Sequence, residues 1–223
     1  MRPAVHESWE EPRPRVTFSL TETLHLTLSV VVLSIAFTFA LGAMNLIQGV
    51  EWPKLAEIFP FAAAIVITSF VLHELAHKIV AQRRMMWAEY RSSYVGLLIG
   101  LVLSALTGFV LAAPGAVQIY GRADDRDAGV ISLVGPLVNL GLGFLAYPLA
   151  VSSTAEPLKV GSVGNLFELV VFINGFLAVF NMIPVPPLDG SKVWRWSKTA
   201  YFAVIALAGL LLWLWFSGAT SLG

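Results

Sequence analysis

Six stretches of this chain are long, apolar and almost free of charge, a pattern that leaves few folds open. Leu24–Ile47 runs for 24 residues without a formal charge, and Ile58–Val80, Tyr94–Tyr120, Ala128–Val151, Leu166–Ile183 and Thr199–Phe216 share its character. A hydrocarbon core of about 30 Å is crossed by roughly 20 apolar residues of helix, so each stretch is a candidate span. Of the 223 residues, 57% are hydrophobic and 13% charged, against about 25% charged in a soluble domain. A soluble domain and a disordered chain are both excluded. Fourteen basic residues balance fourteen acidic ones, so there is no basic field to attract nucleic acid. The expected fold is an all-α polytopic membrane protein of five to six transmembrane helices. A short re-entrant or β-hairpin element is expected before the third core helix. Residues 1–20, with Pro3, Pro12 and Pro14 among alternating charges, read as an N-terminal arm, and 21–223 as one transmembrane domain.

Basic residues accumulate on the cytoplasmic side of a membrane, which bears on the stretch 94–120. If it enters and leaves on one face, twelve of the fourteen Lys and Arg lie inside, and only Lys54 and Lys159 outside. If it crosses once, the split falls to eight against six. The first arrangement gives five crossings, with the N-terminus in the cytoplasm of a cell-membrane protein. A six-span arrangement remains open, since 27 uncharged residues are enough to cross.

The second stretch ends in His73-Glu74-Leu75-Ala76-His77. On a helix, positions i and i+4 share one face, so two imidazoles reach one metal ion. Glu74 then sits beside a water that the metal activates. This is the HExxH arrangement of two ligands and a general base. Ionisable groups inside an apolar helix are costly and face a functional interior. The bland alternative is a helix emerging into water at Lys78, Arg83 and Arg84.

A catalytic zinc takes three protein ligands and leaves one position open. The chain has no cysteine, and only His6 and His25 remain as further histidines. His6 is in the arm, and His25, at the start of the first span, reads as an interfacial polar group. Glu74, Glu168 and Asp189 are the acids in or beside apolar spans. Topology puts Glu168 at the outer interface and Asp189 on the same inner side as the histidines, so Asp189 is the candidate third ligand. It follows Pro184-Val185-Pro186-Pro187-Leu188, which cannot continue a helix.

Three boxes in order give the sequence its resemblance: HExxH on a membrane helix, Gly135-Pro136-Leu137-Val138-Asn139 opening the next full span, and the run Asn181 to Gly190 with its N-x-x-P-x-x-P-x-D-G pattern. Together they resemble the site-2 proteases, intramembrane zinc metalloproteases, over a catalytic core of roughly residues 58–190. The resemblance implies one zinc per chain held by His73, His77 and Asp189, with Glu74 as base. It also implies that Asn181 and Asn139 hydrogen-bond substrate or the developing oxyanion. The substrate it implies is a membrane-anchored protein cut in or near its transmembrane helix. Ala113–Tyr120 resembles the family's membrane-embedded hairpin, an edge on which an extended substrate can pair. No PDZ or CBS module is seen, and Ser191 replaces a glycine often found after the aspartate. Two other classes fit parts of the pattern: a metal-ion or solute transporter, and an inactive membrane scaffold. Neither gives Glu74 a task.

Overall fold

A computed structural model describes residues 15–110, 114–152 and 165–221. Those residues form eight α-helices and two short strands. Helix α1, Leu20–Leu41, is started by Ser19, whose hydroxyl accepts the Glu22 N–H at 3.1 Å. It is followed by α2, Trp52–Val66, a single π turn over Ile67–Val71, and α3, Leu72–Arg83. These three elements form one apolar rod, Trp52–Arg83. Helix α5, Asp125–Ala150, begins at an Asp124 side-chain cap, with Asp125 and Asp127 suited to the positive end of the helix dipole. Helix α6, Leu166–Asn181, is capped by Asn165. The proline run then breaks the chain, and α7, Asp189–Trp196, restarts it before α8, Lys198–Ser221. The Pro186–Pro187 bond is cis.

Helices α1, α5, α8 and the rod Trp52–Arg83 are long and apolar enough to cross a membrane, whereas α6 is shorter. Leu145 and Trp213 are 75% and 63% exposed, the pattern of a protein whose outer surface meets lipid rather than water. The main core lies between α5, α6, α7 and α8, around Leu140, Val171, Met182, Val193 and Leu211. A second cluster joins α1 and α2 to α6 through Leu41, Ile58, Ile65 and Leu169.

The stretch 94–120 is not one helix. Helix α4, Tyr94–Thr107, lies between strands β1, Trp87–Ser92, and β2, Gly115–Tyr120. The strands pair antiparallel, with Ser92 opposite Gly115 and Trp87 opposite Tyr120. Ser93 N–H also donates to Pro114 O at 2.8 Å. The chain therefore leaves and returns to the same place. Helix α4 runs beside α1, where the Ser104 hydroxyl donates to Ala36 O, and Ala105 O accepts from Leu46 N–H beyond the end of α1 at 2.7 Å. Gly108 then turns the chain back with a φ of 72°, a left-handed conformation natural to glycine at a helix end. A hairpin confined to this stretch is thus replaced by a sheet whose partner strand lies before α4.

Two further expectations shift. The Gly135-Pro136 box does not open a span, because α5 starts ten residues earlier, at Asp125, and carries Pro136 inside it. The arm expected over 1–20 gives way before its end: Thr17 N–H donates to Gln82 Oε1 at 3.0 Å, and Leu20 opens α1. Trp9 and His6 lie outside the described residues.

Lys78 does not mark emergence into water. Its side chain is fully buried, with Nζ 2.6 Å from Glu22 Oε2 and 3.1 Å from Ala88 O. Glu22 Oε1 accepts the Tyr90 N–H at 2.9 Å. One buried ion pair thus ties α1 and α3 to β1. Removing one member leaves the other charge without a partner, which costs about 3–5 kcal/mol. Lys78→Met is therefore expected to destabilise the folded protein by that amount, and the double variant Glu22→Gln/Lys78→Met by less. Denaturation of both in detergent checks the order; equal losses would contradict it.

Candidate metal centre

Helix α3 and helix α5 meet along a seam with matching periods. His73 and His77 are four apart on α3, and Ile131, Gly135 and Asn139 are successively four apart on α5, so each set forms one ridge. His77 Nδ1 lies 2.6 Å from Ile131 O, and His73 Nδ1 lies 2.6 Å from Asn139 Oδ1. Gly135 falls between them. A Cβ on Gly135 would come 2.5 Å from His77 Nε2 and 2.6 Å from His73 Nε2, so only glycine leaves both imidazoles room.

The third group arrives from the far side of the proline run. Gly190 packs against the Met182 backbone, where a Cβ would collide with the Met182 carbonyl. That contact seats Asp189, the first residue of α7, over the imidazoles. Asp189 Oδ2 is 3.3 Å from His73 Nε2 and 3.1 Å from His77 Nε2, and the two Nε2 atoms are 3.0 Å apart. All three residues are buried. Among the described residues, His73, His77 and Asp189 are the one group of three or more His or acidic side chains that could hold a metal ion, their ligand atoms all lying within 4.8 Å.

The donor chemistry fits zinc. Ile131 O and Asn139 Oδ1 are acceptors, so each Nδ1 carries the ring proton and each Nε2 presents a lone pair. Two lone pairs and a carboxylate so close repel unless a positive charge lies among them. Zinc bonds of about 2.0–2.1 Å in a tetrahedron place neighbouring ligand atoms roughly 3.3 Å apart, close to the spacing seen.

Glu74 is also buried, and its Oε2 accepts the Val117 N–H of β2 at 3.0 Å. Asn181 ends α6, half-buried, with its amide donating to Leu177 O at 3.0 Å. Asn139 lies elsewhere than expected for a substrate contact. It has no exposed surface, and beyond His73 its amide nitrogen donates to Ser69 O at 2.7 Å and Asn174 Oδ1 at 2.8 Å. Glu168 stays at the opposite end of α6, bonded to its cap Asn165. His25 takes the Ser92 N–H on Nδ1 at 3.1 Å and faces the Tyr94 hydroxyl. Ser69 and Asn174 escaped the sequence reading, although an amide in the middle of an apolar helix is itself a signal.

A membrane-embedded helical bundle that buries two imidazoles, a carboxylate and an adjacent glutamate defines a class of metal-dependent membrane hydrolases. The chain matches the model of peptidase family M50 over residues 61–207, and it belongs to that family, the site-2 proteases. A Methanocaldococcus jannaschii protein provisionally named a zinc metalloprotease is 36% identical over 204 residues, which cover 89% of this chain and 97% of that protein. A Bacillus subtilis protein with the same kind of name is 32% identical over 153 residues, 61% of this chain and 68% of its own. A Synechocystis protein so named is 29% identical over 161 residues, 69% of this chain and 37% of its own. No solved structure matches the chain. The protein is a membrane protein of a metalloprotease family, with a buried His73–His77–Asp189 group that could hold a metal ion.

Metal analysis of the purified protein is expected to give one zinc per chain in wild type and none in His73→Ala or Asp189→Ala. Gly135→Val, which adds bulk against both imidazoles, is expected to lose zinc as well. Full zinc in Asp189→Ala would remove that residue from the ligand set.

Proposed function

We propose that this protein hydrolyses a peptide bond in or near a transmembrane helix of a membrane-anchored protein, using zinc held by His73, His77 and Asp189. The observation that carries the reading is the position of Glu74, next in sequence to His73 and hydrogen-bonded to the edge of β2 turned away from β1. Zinc in such a site acidifies a water molecule and draws charge from a carbonyl oxygen. Glu74 takes the proton of the attacking water and passes it to the departing amine. Asn181 bonds Leu177 O through one amide N–H, which leaves a second N–H to donate where negative charge develops. Asn139 acts through His73.

A substrate helix hides its amides in its own hydrogen bonds, so the cut segment must first become extended. The outer edge of β2 suits such a segment by strand addition. A substrate carbonyl that takes over the Val117 N–H releases Glu74 to act as base. The substrate's apolar side chains have a cavity of about 470 Å³ to enter, lined by Leu33, Phe37, Ser69, Phe109, Phe172 and Ile173 among others. Ser69 lies one turn from His73, so the cavity reaches towards the metal site.

Because 93–114 starts and ends at one place, we read five crossings with one re-entrant element, in a single domain over 21–223. The excess of basic residues then puts the N-terminus and the active site towards the cytoplasm.

Cleavage of single-span reporter helices in proteoliposomes is expected to fall by about 100-fold or more in Glu74→Gln, with zinc content unchanged. Unchanged cleavage would overturn the mechanism. The lack of native cysteine makes the topology simple to test by single-cysteine labelling. Lys54→Cys and Arg122→Cys are expected to react from opposite sides of the membrane, whereas six crossings would put them on the same side.

A further inference from the structure

Beyond the metal ligands, a chain of buried amides runs from His73 into α6. Asn139 Oδ1 faces His73 Nδ1, while Asn139 Nδ2 donates both to Ser69 O, at 2.7 Å, and to Asn174 Oδ1, at 2.8 Å. Asn174 Nδ2 in turn donates to Val170 O and to the Ser69 hydroxyl, each at 2.9 Å. Asn139 and Asn174 have no exposed surface, and Ser69 is 1% exposed. No water is needed to complete these bonds.

The orientation of each amide follows from this network rather than from choice. Val170 O is a carbonyl and can only accept, so the nitrogen of Asn174 must face it and the oxygen must face Asn139. The nitrogen of Asn139 then meets two acceptors, Ser69 O and Asn174 Oδ1. Turning Asn139 over would set its oxygen against both of them and its N–H against the proton of His73 Nδ1. Each arrangement of that kind leaves buried polar groups unpaired, at a cost of about 1–3 kcal/mol apiece.

Ser69 is available because it lies in the π turn, Ile67–Val71, where Leu72 N–H bonds to Ile67 O five residues back. A π turn adds one residue to the helix and rotates everything after it. It brings the Ser69 carbonyl and hydroxyl to α5 and α6 within one turn of His73.

We infer that Asn174 is a positioning residue: through Asn139, and with the π turn at Ser69, it fixes the His73 proton on Nδ1 and so keeps Nε2 a lone pair for the metal. The inference rests on the reading of His73 as a zinc ligand. Partners that orient a metal-ligating histidine typically change metal affinity by about 10- to 100-fold when removed. Asn174 acts one step further out, so the lower end of that range applies.

The experiment measures the zinc dissociation constant of the full-length protein in detergent against a competing chelator. It adds side-chain ¹⁵N NMR of His73 in zinc-free protein, which reports which ring nitrogen holds the proton. Asn174→Ala and Asn174→Leu are expected to weaken zinc binding by about tenfold and to give His73 a mixture of tautomers. Val171→Ala, a packing change at a fully buried neighbour, is expected to lower the melting temperature and leave both readouts as in wild type. If the Asn174 variants do not fold, Ser69→Ala carries the test, with a loss of about threefold expected from its one missing hydroxyl. Folded Asn174 variants with wild-type affinity and a single Nδ1-protonated tautomer would overturn the inference. So would a Ser69→Ala variant that matches wild type on both readouts when the Asn174 variants fail to fold. A His73→Ala variant that binds zinc as tightly as wild type would instead overturn the metal-site reading on which it rests.

Discussion

Lipid supplies no hydrogen bonds, and the buried polar groups of the described residues are placed under that constraint. Exposed carboxylates and amides turn to water when their partners are lost; those inside a bilayer cannot. Several of the buried polar groups among the described residues are accordingly joined into sets. Lys78 has Glu22 and Ala88 O, Glu22 also has Tyr90 N–H, and Asn139 has His73, Ser69 and Asn174. Satisfied networks in a low dielectric are rigid, because any rotation leaves a donor or acceptor unpaired. Rigidity of that kind is what a metal site needs from its surroundings.

Helix α5 is the platform on which the site is assembled. Its three ridge positions deliver a carbonyl to His77, empty space to both rings and an amide oxygen to His73. The ligands themselves come from elsewhere, two from α3 and one from α7. Helix α7 reaches the site because the proline run stops α6 and Gly190 lets the chain close against Met182. Neither α3 nor α7 would orient an imidazole or a carboxylate unaided. Packing on α5 converts a motif with the right spacing into a set of atoms with the right directions.

The parts of this arrangement that were legible in the sequence are those governed by local periodicity or by local breakers. His73 and His77 show as an i, i+4 pair, and the proline run shows as a helix end. Asp189 was reachable because topology left it on the histidines' side. What stayed hidden depends on partners distant in sequence. Lys78 looks like the start of a water-facing turn because Glu22 lies 56 residues away. Strand β1, with Glu89 and Arg91 in it, lies outside the apolar stretches, and its partner β2 follows only after α4. The π turn leaves no mark on composition. Asn174 was passed over since a single amide does not interrupt an apolar run, yet its burial required a partner.

The sheet is held by a carboxylate on each outer edge. Tyr90 and Val117 are directly opposite across the two strands, and each turns its N–H outward, Tyr90 to Glu22 and Val117 to Glu74. The two carboxylates differ in consequence. Glu22 is paired with Lys78, which anchors β1 through Tyr90. Glu74 forms no ion pair among the described residues, and its contact with Val117 is a single neutral donor, worth about 1.5–3 kcal/mol to a charged acceptor. On the proposed mechanism a substrate strand on β2 would supply a carbonyl in exchange, so that releasing Glu74 would leave no buried N–H unpaired. On that mechanism the base is thus freed when an extended peptide is in place on β2, while β1, the strand paired with β2, is kept in position by an ion pair one residue beyond His77.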